Sequence, residues 1–210
     1  MKFLNFDRVL CIAPHPDDVE YSMAGTILKH TDTIFDVLCL TQGGDCDDTT
    51  DVSRLDEVRA SWSASGASNI NLFFTDMKFL KECTEDNWIN YIERTMLDKY
   101  TYDCICTTSN TDSHFEHVIV SNFGWPLTRV RAISLIEYYS PSTLQSWTPN
   151  VFIDITDQYD TKITMLKEFV SQSHRSYFDK STLDGFHTNF QCSKKGVKTV
   201  EQFNLKQVFI

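Results

Sequence analysis

The sequence predicts a Rossmann-like α/β fold: a largely parallel sheet covered by helices on both faces, with an active site at the carboxyl ends of the strands. Three observations predict it. Short apolar runs alternate along the chain with stretches of helical periodicity, the order that strand-helix units impose. Two clusters of histidine and carboxylate each begin where an apolar run ends, which is where open α/β sheets hold their ligands. The chain's 210 residues, 41% of them hydrophobic, suit one domain (1–210) with a core large enough to need no staples.

Strands are expected at 8–12, 35–40, 71–74, 103–106, 132–138 and 151–155. Between them, the stretch 52–65 carries Val52, Leu55, Val58 and Trp62 on one stripe, with Gly66 as its stop. A second helix, 87–100, is expected to bury Trp88, Ile89, Ile92 and Met96, and a third, 157–170, to bury Ile163, Leu166 and Val170. Segment 172–198 shows no periodicity and reads as a long irregular stretch bordering a pocket, with His174 and His187 on the surface. The last stretch, 201–210, alternates Phe203, Leu205 and Phe209 and reads as an edge strand. The acidic run 45–51 lacks the glycine and terminal glutamate of a calcium loop and reads as a loop beside the site. No repeat or low-complexity tract divides the chain.

The first cluster is Ala13-Pro14-His15-Pro16-Asp17-Asp18-Val19-Glu20, after the run Val9-Leu10-Cys11-Ile12. Pro16 keeps His15 extended and suits a first helical turn, so His15 closes a strand while Asp17 and Asp18 open a helix. Neighbours there point about 100° apart. His15 and Asp18 can therefore meet on one ion while Asp17 reaches that ion's water from another side, the elements of an open zinc site in a hydrolase. The plainer alternative is a well-formed helix start, where acidic residues favour the dipole. The second cluster, Thr111-Asp112-Ser113-His114-Phe115-Glu116-His117, follows Cys104-Ile105-Cys106. Its two histidines, three apart, share a helix face. One can complete a His/Asp/His zinc triad and the other can stand beside the open position.

These motifs resemble the LmbE/PIG-L type N-acetylglucosaminyl deacetylases. That family opens on Ala-His-Pro-Asp-Asp-x-Glu, here Pro14-His15-Pro16-Asp17-Asp18-Val19-Glu20, and its second signature, Asp-x-His-x-Asp-His, is matched by residues 112–117 with Glu116 in place of Asp. Leu40-Thr41-Gln42-Gly43-Gly44 is similar to the family's glycine-bearing loop, and Arg54-Leu55-Asp56-Glu57 to its Arg-x-x-Glu helix. Ser171-Gln172, Gly196 and Val200-Glu201-Gln202-Phe203 resemble its closing elements. The resemblance implies one Zn2+ per chain on His15, Asp18 and His117, Asp17 as general base, and His114 as acid or oxyanion stabiliser. It further implies Arg54 and Asp76 as sugar contacts, with Asp112, Glu116 and Glu20 behind the ligands. Its expected product pair is acetate and a free amine. Phe115 departs from a common Pro, and Glu116 is a methylene longer than Asp, which alters how it orients a histidine. Without the resemblance, Arg54 and Glu57 read as a surface ion pair and Gly43-Gly44 as a turn.

Composition narrows the partners. A net charge of -10 and a pI near 4.9 argue against nucleic acid and against an anionic membrane surface. A small-molecule substrate, most simply an N-acetylated sugar conjugate, remains, and homo-oligomer formation is left open. The seven cysteines, odd in number and four of them in apolar runs, read as free thiols in a reducing compartment. With no signal-peptide pattern and no run of ~20 apolar residues, a cytoplasmic enzyme is expected. Two other classes are carried: a metal hydrolase on a non-sugar amide or ester, and a metal-retaining binding protein without turnover.

Overall fold

The computed structural model describes residues 1–43, 53–129, 131–189, 192 and 196–209. The 45–51 loop, Gly44, Cys46 and Val52 lie outside them.

Five strands run parallel: β1 (Arg8–Ala13), β2 (Ile34–Cys39), β3 (Ile70–Phe74), β4 (Cys104–Thr107) and β5 (Ser134–Tyr138). Two more, β6 (Val151–Asp154) and β7 (Val200–Gln207), complete a seven-stranded sheet of order β3-β2-β1-β4-β5-β7-β6. β7 is the departure from expectation. It is not an edge strand: it pairs antiparallel with both β5 and β6, burying Phe203 completely, and β6 takes the edge instead.

The helices are α1 (Asp18–Lys29), α2 (Arg54–Ser65), α3 (Glu85–Ile92), α4 (Phe115–Ser121), α5 (Gly124–Thr128), α6 (Tyr159–Leu166) and α7 (Lys180–Phe186). Side chains of β1 alternate between the two faces. Val9, Cys11 and Ala13 join a core with Val19 and Met23 of α1, Val58 and Trp62 of α2, Met165 of α6 and Leu183 of α7. Leu10 and Ile12 join the other core, with Trp88 and Ile92 of α3, Val120 of α4 and Leu127 of α5. Period-2 alternation in a strand with helices on both sides produces this two-layer burial.

Local signals explain the boundaries. Gly66 ends α2 in the left-handed conformation (φ 68°), where a Cβ costs most. Thr84 caps α3 by accepting from the Asn87 N–H. The stripe foreseen for 87–100 is buried at Trp88, Ile92 and Met96, but the helix widens into a π-type turn over Glu93–Leu97. Helix α6 is shorter than foreseen, and Val170 beyond it is 55% exposed.

Segment 172–198 is also more ordered than its composition suggests, because it contains α7. His174 is exposed, as expected, but His187 is fully buried against Tyr21 and Tyr159, with its Nδ1 2.8 Å from the Leu183 carbonyl. Nothing in local polarity marked it as core, since its burial depends on α1 and α6 closing over it. Nearby, Lys162 and Glu201 form a fully buried ion pair, and the Glu201 carboxylate also accepts the Gly25 and Thr26 N–H groups of α1. Cys11, Cys39, Cys104 and Cys106 are buried free thiols, and Cys83 and Cys192 are half-buried free thiols. Among the described residues, no helix is long and apolar enough to cross a membrane.

Candidate functional site

β1 stands between β2 and β4, where connections leave the sheet in opposite directions; a crevice opens there at the carboxyl ends. His15 to Asp17 bridge the end of β1 to the start of α1. The His15 N–H donates to Asp18 Oδ2 at 2.8 Å, folding the turn back on itself. Asp17 pays for that turn with a left-handed backbone (φ 127°, ψ -23°), a strained conformation for a residue with a Cβ. Arg54, at the start of α2, clamps the same turn: Nη2 donates to the Pro16 carbonyl at 2.7 Å and lies 3.2 Å from Asp17 Oδ2, and Nη1 donates to the Gly43 carbonyl at 3.1 Å. Gly43, at φ 89°, is required by this arrangement, since a Cβ there would lie 2.2 Å from Arg54 Nη1.

Asp18 faces two imidazoles, with Oδ2 3.2 Å from His15 Nδ1 and Oδ1 3.2 Å from His117 Nε2. One ligand atom from each of His15, Asp18 and His117 lies within 4.8 Å of the others. Both imidazoles are held on their far sides. His117 Nδ1 is 3.1 Å from Asp112 Oδ2, a carboxylate that also accepts from Ser140 Oγ (2.7 Å), and His15 Nε2 is 2.6 Å from Glu116 Oε2. This carboxylate-histidine pattern fixes ring orientation in metal sites. Burial opposes charge on both rings, yet the facing carboxylates raise His15 to about 9 and His117 to about 10, while Asp18 is driven well below the usual carboxylate range by His117 and His15 despite its burial. The donor set, two nitrogens and one oxygen each with a supporting partner, fits a divalent metal.

Two groups stand beside the triad without belonging to it. Burial pushes Asp17 up to about 6, against the pull of Arg54. His114 caps α4, its Nδ1 accepting from the Glu116 N–H at 3.3 Å, so its proton sits on Nε2. Burial, with two neighbouring imidazoles, lowers its pKa and keeps it neutral. A second set of converging donors, His15, His114 and Glu116, shares His15 with the first. In it the Glu116 carboxylate already accepts at both oxygens, from His15 Nε2 and from the Leu80 N–H (3.3 Å).

His15, Asp17, Asp18, Arg54, His114, Glu116 and His117 all line one cleft of about 550 Å³, within the range of small-molecule sites. Asp112 and Glu20 lie behind it, Glu20 accepting from Trp62 Nε1 at 2.5 Å and raised to about 7 by burial. Asp76 is a correction: it is exposed and does not line the cleft. β3 ends at Phe74, and Thr75 turns its hydroxyl inward to the Leu40 carbonyl, which leaves the next residue facing outward. Arg54 and Glu57 are not a surface pair either. Both are buried, and Glu57 accepts from the N–H and hydroxyl of Ser171. Sequence reasoning missed Tyr21, Lys78, Phe79, Lys81, Pro141, Ser142, Arg175 and Tyr177 in the lining. Only 175 and 177 fell in a segment marked as bordering a pocket; the others carry no motif.

Fold and site together define an α/β protein with a metal-type His/Asp/His cluster at its strand ends. The family model described as PIG-L: GlcNAc-PI de-N-acetylase matches residues 10–128, and the chain belongs to that family. Comparison with curated proteins finds no match. Among solved structures, the N,N'-diacetylchitobiose deacetylase of Pyrococcus horikoshii is similar with a TM-score of 0.77 and 21% identity, over 98% of this chain and 85% of that one. GalB, the 4-carboxy-2-hydroxymuconate hydratase of Pseudomonas putida KT2440, is similar with a TM-score of 0.71 and 14% identity, over 100% and 98%. The teicoplanin deacetylase Orf2, in a zinc-inhibited form, has a TM-score of 0.66 and 10% identity, over 93% and 96%. At these identities the likeness establishes the fold.

Proposed function

We propose that this protein is a zinc-dependent hydrolase that removes the N-acetyl group from an amino sugar or sugar conjugate. The observation that carries the reading is the convergence of His15, Asp18 and His117 within 4.8 Å of one another, beside Asp17 and His114, which are left over from metal binding. A binding protein has no need of those two. Family membership and the deacetylase activity of two structural neighbours support the same reaction.

His15, Asp18 and His117 would hold the metal, with Asp112 and Glu116 orienting the imidazoles. When bound, the metal supplies Lewis acidity and a water made acidic near neutral pH. Asp17, held toward the cleft by Arg54, accepts the proton of the attacking water as general base; a carboxyl near 6 is ionised at neutral pH yet basic enough for the task. His114, neutral with its proton on Nε2, donates to the acetamide oxygen as charge develops there. The proton taken by Asp17 then passes to the departing amine, leaving acetate and a free amino sugar. Arg54 acts here by positioning Asp17, and Asp76 does not enter the substrate contacts.

The test is acetate release across N-acetyl sugars, sugar conjugates and simple amides, with and without chelator, alongside elemental analysis of the protein. About one zinc per chain and chelator-sensitive acetate release from N-acetyl sugars are expected. A second reading, water addition or hydrolysis on a non-sugar substrate, has one neighbour in its favour, the hydratase of this fold. Turnover of non-sugar substrates alone in the same screen selects it.

A further inference from the structure

β5 ends at Tyr138, and the turn after it carries three hydroxyl groups, on Ser140, Ser142 and Thr143. This turn is stitched to the motif that holds His117. Ser113 donates to the Ser142 carbonyl from its N–H (3.0 Å) and from its hydroxyl (2.9 Å), and the Leu144 N–H donates to the Thr111 carbonyl at 3.0 Å. Asp112 and Thr143 form an isolated antiparallel bridge between the two segments. Ser140 and the Asp112 side chain are buried, so their polar atoms must find partners inside the protein.

Donors surround Asp112. Its Oδ1 accepts the His114 N–H at 2.8 Å, and its Oδ2 accepts the Ser140 hydroxyl at 2.7 Å, the Thr143 hydroxyl at 3.2 Å and His117 Nδ1–H at 3.1 Å. His117 Nδ1 has two further neighbours, Ser140 Oγ at 3.3 Å and Ser142 Oγ at 3.2 Å. A hydroxyl has one proton to give, and its direction decides which ring nitrogen keeps a proton of its own. A serine O–H aimed at Nδ1 makes that nitrogen the acceptor, leaves the ring proton on Nε2 and closes Nε2 to a metal. Ser140 lies nearer the carboxylate than the ring, and a charged acceptor makes the stronger bond, so its proton goes to Asp112. Its oxygen is then an acceptor for the Ser142 hydroxyl, 3.1 Å away. Thr143 Oγ1 accepts the Ser140 N–H at 2.9 Å and turns its own proton to Asp112 or to Ser140 Oγ (3.0 Å), in both cases away from the ring. Every hydroxyl proton of the turn thus runs toward Asp112, and His117 Nδ1 faces acceptors.

We propose that Ser140 is a positioning residue for the metal site: by giving its proton to Asp112 and drawing the Ser142 proton to itself, it fixes the proton of His117 on Nδ1 and reserves Nε2 for the metal. This rests on the metal-hydrolase reading above. Ser140 acts through Asp112 and His117 and does not line the cleft, whereas Ser142 does. Once the Ser140 oxygen is gone, the Ser142 hydroxyl is free to donate to Nδ1, which makes it the competing donor that Ser140 holds in check.

The experiment measures zinc affinity of the metal-stripped protein by chelator competition and follows the His117 ring protons by heteronuclear NMR, assigned by their loss in His117→Gln. Ser140→Ala should weaken zinc binding ~10–100-fold, the usual cost of removing an outer hydrogen bond to a ligand. Ser140→Thr, which keeps the hydroxyl, should restore most of it. Ser140→Ala/Ser142→Ala should bind more tightly than Ser140→Ala, because the competing donor is removed, a recovery that simple damage to the turn does not produce. In the zinc-loaded wild type the ring proton should sit on Nδ1. An unchanged affinity in Ser140→Ala, a double variant no tighter than the single one, or a ring proton on Nε2 would each overturn the assignment. Should Ser140→Ala not fold, Thr143→Val removes the other hydroxyl that feeds Asp112 Oδ2; a smaller loss of zinc affinity upholds the proposal and an unchanged one refutes it. A wild type that binds no zinc fails the metal reading alone. The metal-free proteins then decide the role of Ser140: Nδ1–H should exchange with solvent more slowly in wild type than in Ser140→Ala, and equal exchange refutes it.

Discussion

At the scale of single residues, neighbours in sequence are assigned different work by their orientation. Asp18 lies between His15 and His117, whereas Asp17 turns away to Arg54 on a strained backbone. Asp17→Asn keeps the shape but cannot accept a proton, so it should retain the metal and lose ~10²–10⁴-fold in kcat. Metal content and single-turnover rates check this together, and an undiminished kcat would move the base elsewhere, with Glu20 next to test. The two histidines of the second motif diverge in the same way. His117→Ala should lose metal, because it removes a ring held between Asp18 and Asp112. His114→Ala should keep metal and lose ~10²–10³-fold in rate, the usual cost of removing one donor to a developing oxyanion. Elemental analysis showing the reverse pattern of metal loss would exchange their roles.

At the scale of elements, three strand ends and the start of one helix meet at the site. β1 brings His15 to Asp18, β4 leads into Asp112 to His117, and β2 leads to Gly43, whose carbonyl receives Arg54 from α2. The junction of β2 and α2 tolerates no side chain. Gly43→Ala places a methyl where Arg54 Nη1 lies and strains a backbone at φ 89°, so Arg54 has to leave Asp17 or the loop has to move. A loss of about 1–3 kcal/mol in stability is expected from the strain, with kcat/KM falling as Asp17 loses its clamp. Thermal melts and steady-state kinetics read both, and a variant with wild-type kcat/KM would show that Arg54 does not position the base. The helices themselves were legible where their apolar stripes met the core, as in α2 with Val58 and Trp62. β7 was not placed by its alternation, because pairing on both sides is a property of the sheet and leaves no local mark.

For the molecule as a whole, the buried polar groups beneath α1 and α6 set a pH dependence. His187 is fully buried, and desolvation together with Lys162 pushes its pKa well below the ordinary 6.5. The folded chain therefore keeps a neutral imidazole where the unfolded chain takes up a proton below about 6.5. Its contribution is fully present above that pH and is lost as pH falls, at up to roughly 1.4 kcal/mol per unit. Urea unfolding of His187→Asn between pH 7 and 4.5 should show a shallower acid loss than wild type; both proteins keep His15 and His117, so their contributions cancel in the difference. Parallel slopes would mean that His187 is protonated without cost in the native state.

The sequence by itself determined which donor types stand at the strand exits, and the sheet's parallel half. His15, Asp18 and His117 follow strand exits, and Pro16 fixes which residue ends a strand and which opens a helix, so the donor types and their placement at strand ends are local facts. Only the tertiary structure decided what surrounds them. Asp76 follows a strand exit as well, but Thr75 turns inward and leaves it outside the cleft. Lys78, Lys81 and Arg175 carry no pattern distinguishing them from surface cations, and they become a rim because Leu80 is buried and bonded to Glu116, and because the segment after α6 folds back over α1 and α2. Residues that chelate must sit at fixed short spacings on elements, which sequence records, whereas residues that enclose a ligand need only arrive at the same place, which packing alone arranges.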